Sequence, residues 1–127
     1  MNADLVDDYL QLLSVERSKL NGMMVREFAR ASSMLAGKGM LHGSGGMRMI
    51  VDLASGRIPV FAQVCLNLMI RCSNSHGVAI TAENRQDFLA TMKGNIDEEI
   101  RFLRDQVAKS PSFKSSVSDR VAQTMIA

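Results

Sequence analysis

The chain has 127 residues, a net charge of +2, 46% apolar residues and 22% charged residues. That length specifies one domain able to bury its own core, and so small a charge makes no electrostatic case for nucleic acid. One Tyr, no Trp, two Pro and few β-branched runs argue against an all-β fold.

The N-terminus, Met1-Asn2-Ala3-Asp4, lacks a basic region followed by an apolar run. No secretory signal is therefore expected. Two cysteines without such a signal point to free thiols in a reducing compartment, so the cytoplasm or a phage particle is the expected location.

Residues 3–36 carry one uninterrupted helical pattern. Val6, Leu10, Leu13, Arg17, Leu20, Met24, Phe28, Ala31 and Leu35 step by three or four, and only Arg17 breaks the apolar stripe. Gly37 is the expected stop, in a C′ position.

The run 37–46 then holds five glycines with Lys38, His42 and Ser44. Glycine tolerates left-handed backbone and close approach, so the run reads as an interhelical hinge, with positive φ expected at one or more of Gly37, Gly39, Gly43 and Gly45. Its alternative reading is an anion site, in which the helix-start amides of Ser44, Gly45 and Gly46 act with Lys38, His42 and Arg48. No phosphate-loop motif supports the alternative, because Lys38 precedes the glycines it would have to follow and no Lys-Ser or Lys-Thr pair exists.

Ser44 is the expected cap of a second helix. Its pattern meets Gly56 and Pro59, where proline either starts a fresh helix or interrupts a continuing one. Beyond Pro59, Val60, Phe61, Val64, Cys65, Leu66, Leu68, Met69, Ile70 and Cys72 surround a narrow polar stripe of Gln63, Asn67 and Arg71 at i, i+4 and i+8. The apolar window 58–72 is shorter than the roughly 20 residues of a membrane span and contains three polar residues, so a buried helix is expected and no span. A helix apolar on most faces belongs in a core or a subunit interface. Phe61, Gln63, Leu66, Asn67, Leu68, Ile70 and Arg71 are the candidate interface.

Residues 73–77 read as a turn, and Thr81 as the cap of a third helix reaching about Lys109. Leu89, Met92, Ile96, Ile100, Leu103 and Val107 form its stripe, and Asp97-Glu98-Glu99 reads as a solvated face. Ser110 and Pro111 restart a short amphipathic helix with Phe113, Val117, Val121 and Met125 at every fourth position. The expected fold is all-α: an antiparallel bundle of three long helices over residues 1–110, with a short C-terminal helix at 111–127, either docked on it or partner-binding.

No constellation carries chemistry. His42 and His76 sit in separate turns and read as solvated. Cys65 and Cys72 lie two turns apart on one helix, too far along the axis for an unstrained disulfide. No Glu-x-x-His pair, Cys-x-x-Cys or nucleophile elbow is present. No catalytic residue, cofactor site or metal site is assigned, and no enzyme activity is expected.

What remains is apolar surface in excess, on helices rich in pliable methionine, ten in all. That pattern fits a non-enzymatic assembly or adaptor protein, a homo-oligomer or a partner of another helical protein. Small structural and accessory proteins of phages and mobile elements have this general character. The alternative is a module that binds an anion or a nucleic-acid backbone at the glycine-rich helix start. Nucleic acid is disfavoured, because neither turn leads into a basic recognition helix.

Overall fold

The computed structural model describes residues 2–39, 41 and 43–110. It is all-helical, with no strand among the described residues, and holds three helices: α1 (Ala3–Gly37), α2 (Ser44–Ser75) and α3 (Arg85–Lys109). The C-terminal helix expected at 111–127 lies outside the described residues.

Local chemistry accounts for the helix ends. At the start of α1, Asn2 Oδ1 accepts from the amides of Asp4 and Leu5 at 3.0 and 3.2 Å, two of the donors that a helix start leaves unsatisfied. The far end corrects the expectation for Gly37. Gly37 is the last helical residue, and Gly39, at φ +69°, makes the left-handed turn. Its amide donates to Ala36 O at 3.1 Å. A side chain there would strain the backbone, whereas a Cβ on Gly37 meets nothing within 4 Å. Gly39→Ala is therefore expected to cost about 1 kcal/mol. Gly37→Ala should be neutral or slightly stabilising, a contrast that thermal melts of the two variants read directly.

The cap of α2 also differs from expectation. Gly43 O accepts the amide of Met47 at 3.0 Å, which makes Gly43 the capping residue and Ser44 the first helical one. The helix then runs unbroken through Pro59. Pro59 is exposed, as is Ser55 four residues back, whose carbonyl loses its partner to the missing amide and can turn to water.

The other end of α2 is a Schellman motif. Gly77 has φ +65°, its amide donates to Asn74 O, and Val78 N donates to Ser73 O at 2.9 Å. The third helix starts at Arg85 rather than after Thr81. Asn84 fixes the preceding turn instead: its Oδ1 accepts from Thr81 N at 2.7 Å and its Nδ2 donates to Ala79 O at 2.8 Å.

The chain divides into two compact units. The first holds the described residues of Met1–Asn21 and Ile58–Ile100, the second those of Gly22–Arg57 and Arg101–Ala127. In the first unit, Leu5, Tyr9 and Leu13 of α1, Phe61, Cys65, Leu68, Met69 and Cys72 of α2, and Phe88 and Met92 of α3 form one buried cluster.

Side-chain pairs set the directions of the three segments within that unit. Asp8 meets His76, while the Arg17 charge acts on the Cys65 thiol, so within this unit α1 and α2 run opposite ways. Tyr9 meets Asn95 and Arg17 meets Glu99, so α1 and α3 run the same way.

Two stripes are rotated from the sequence expectation. On α1, Leu5 and Tyr9 are fully buried, whereas Leu10 is 42% exposed and Val6 only half-buried. The four-residue step back from Leu13 lands on Tyr9 and Leu5, and the larger ring takes the core. On α3, Phe88 is buried and Leu89 is exposed, for the same reason.

The second unit buries Met24, Phe28, Ala31 and Leu35 of α1, Ile50 and Ala54 of α2, and Leu103 of α3. Here the expected α1 stripe is the observed one. An ion pair joins Arg57 to Glu27 across two of its helices.

Candidate functional site

The C-terminal half of α2, within the first unit, sorts its residues by face. Phe61 and Leu68 point into the cluster, at 2% and 8% exposure. Gln63, Leu66, Asn67, Ile70 and Arg71 point outward. The outward stripe is bordered by Val60, Leu66 and Ile70, each a large aliphatic left 40–44% exposed. Gln63 Nε2 donates to Asn67 Oδ1 at 2.8 Å, which orders the amide pair along the helix. Of the seven candidate interface residues, two are thus core and five are surface.

The apolar content of α2 is not matched by burial. An 18-residue window has a mean hydropathy of 1.4, yet only 22% of it is buried. By length and composition alone this helix also reaches what a membrane crossing requires, because it is continuous through Pro59.

The glycine-rich segment assembles less than its composition suggests. Lys38, Ser44, Gly45 and Arg48 are exposed and Gly46 is buried, while His42 lies outside the described residues. Gly45 and Arg48 line a shallow hollow of about 410 Å³ together with Met49, Asp52 and Leu53. Lys38 and Ser44 are not part of that lining. An anion beside Arg48 would also face the carboxylate of Asp52, one helical turn further along.

Two polar pairs depart from the sequence expectation. Glu99, read as part of a solvated face, is 3% exposed. Arg17 Nε donates to Glu99 Oε2 at 2.7 Å, and Arg17 Nη1 lies 3.4 Å from Glu98 Oε2. The arginine that interrupts the α1 stripe and an acid read as solvated on α3 are therefore partners. The Arg17 interruption was visible in the sequence, and its partner was not.

His76, expected as a solvated turn residue, contacts Asp8 at 2.6 Å from Nε2 to Oδ2. At that distance the two groups share a hydrogen. His76 and Asp8 were each visible as polar residues near helix ends, but nothing in their spacing linked them.

Cys65 and Cys72 are buried free thiols. Burial pushes both thiols above the ordinary range, and near Cys72 the Asp8 carboxylate adds to the effect. Burial likewise raises the Tyr9 phenol, whose hydroxyl donates to Asn95 Oδ1 at 3.0 Å. Protonated, shielded thiols are poor nucleophiles. Both cysteines should resist a thiol-labelling reagent at neutral pH in the folded protein and react at once in denaturant. Rapid native labelling of either would contradict this burial. Among the described residues, no group of three or more His, Cys, Asp or Glu is placed to hold a metal ion.

The chain matches no protein-family model, no curated protein sequence and no solved structure.

Proposed function

We propose that this chain is a non-enzymatic assembly protein that associates through the outward face of α2. The observation that carries the reading is the mismatch in α2 between apolar content and burial. Val60, Leu66 and Ile70 each stay 40–44% exposed on this face, and apolar surface of this kind is the usual mark of an interaction site.

A second copy of the same chain is the favoured occupant. Gln63 and Asn67 are amides, each both donor and acceptor, so their stripe is complementary to itself. Arg71 is the only charge among the outward candidates. In an antiparallel two-fold pairing about Asn67, it meets the partner's amide rather than another arginine. A role as a structural or accessory component of a phage or mobile element fits this character at the level of class.

The test is solution mass. Light scattering at micromolar concentrations is expected to give a multiple of 13.9 kDa. The pair Leu66→Arg and Ile70→Glu should return it to monomer without loss of helicity, since both sites are already surface. A wild-type monomer throughout that range would overturn the proposal. The alternative reading, an anion or nucleic-acid-backbone site at the start of α2, expects something different. Phosphate would then raise the melting temperature saturably, and Lys38→Ala or Arg48→Ala would abolish the rise.

A further inference from the structure

Another hollow, in the first unit, adjoins the outward stripe of α2 at Arg71. It lies between α1 and the end of α2 and encloses about 370 Å³, toward the small end of ligand pockets. Its apolar wall is Leu12 and Val15 of α1 with Cys72 of α2. Its polar edge is Gln11, Arg71 and Ser75. Asp8 and His76, in contact at 2.6 Å, complete the lining.

The charges at this hollow are uneven in what they already bind. The one carboxylate, Asp8, is engaged by His76. Arg71 has no ion pair or hydrogen bond to any described residue and lines the hollow. The free polar groups at the edge are thus a guanidinium, an amide and a hydroxyl, all able to donate. Guanidinium is the side chain best shaped for a carboxylate, because two parallel N–H groups meet two oxygens.

We infer that this hollow binds a small monocarboxylate with a short aliphatic tail. The carboxylate pairs with Arg71 and takes further donors from Ser75 and Gln11. The tail lies along Leu12, Val15 and Cys72. This inference does not depend on self-association, which shares only Arg71 with the hollow and has its own readout.

Hexanoate, hexan-1-ol and hexylammonium, each titrated into the full chain, test it by NMR. Hexanoate is expected to shift the methyl signals of Leu12 and Val15 saturably, with hexan-1-ol and hexylammonium at least about tenfold weaker, or about 1.4 kcal/mol. Arg71→Gln should reduce hexanoate to the level of the alcohol, and Arg71→Lys should retain part of the difference. Val15→Phe, at a site already 54% exposed, should fill the hollow and remove binding without unfolding. Equal affinity for the three probes, an unaffected Arg71→Gln variant, or no saturable shift at millimolar hexanoate would each overturn the inference. Solution mass, read on the same samples, reports on the α2 face separately.

Discussion

Leu68→Asp is expected to unfold the first unit at ambient temperature. Leu68 is 8% exposed within the cluster that joins Leu5, Tyr9, Phe61 and Phe88. Truncating such a leucine alone removes about 2–5 kcal/mol. A carboxylate in its place adds an uncompensated charge in a cluster with no cation in it. The sum is comparable with the whole stability of a small domain, roughly 5–15 kcal/mol. Lys38→Ala, by contrast, alters an exposed loop residue with no ion pair among the described residues and should stay within about 0.5 kcal/mol of wild type. Circular dichroism melts decide the matter. Similar melting temperatures for the two variants would show that Leu68 is not core.

Arg17→Met is the second large effect expected. Glu99 has 4% of its side chain exposed, and Arg17 is the cation bonded to it at 2.7 Å. Removing the arginine leaves a buried carboxylate without compensation, at a cost of roughly 3 kcal/mol. Glu99→Gln should cost less. Arg17 keeps 30% of its side chain in water and retains Glu98 as a second acid within 3.4 Å. The double variant Arg17→Met with Glu99→Leu should recover much of the loss, because apolar groups of similar size satisfy such a site. A cycle in which the two single losses are equal and simply add would mean that the pair is solvated and unimportant.

The two pairs that α1 makes with α3, Tyr9 to Asn95 and Arg17 to Glu99, also explain why one axial register is selected. Apolar contacts tolerate sliding by a turn, whereas a buried acid and its arginine do not. Chemical denaturation of Arg17→Met should therefore lose cooperativity as well as stability, which a lowered slope against denaturant would report.

Much of the helical layout was legible in the residues themselves. The α1 pattern ran from residue 3 to the glycine run because no proline and only Gly22 interrupts it. The outward stripe Gln63, Asn67 and Arg71 follows from helical spacing alone, whereas Phe61 and Leu68, grouped with it as interface, are core. The errors lie where two readings of similar apolarity competed. Leu10 against Tyr9, and Leu89 against Phe88, differ by one residue along the chain. Apolar content cannot choose between them, because each neighbour is large and each keeps a plausible four-residue step. The hollow beside α2 was not legible at all, since its lining comes from residues more than fifty positions apart that no spacing rule connects.

What the sequence determined by itself was local. It set helical class, the approximate ends of α1 and α2 and the polar stripe of α2, because these depend on backbone propensity, glycine and the 3.6-residue period. Tertiary structure decided which polar residues are partners: Arg17 with Glu99, His76 with Asp8 and Tyr9 with Asn95. It also decided which of two adjacent large side chains enters the core. Both choices turn on how three helical segments are set against one another in depth and rotation, and that arrangement is a balance of many contacts at once, which no single helix encodes.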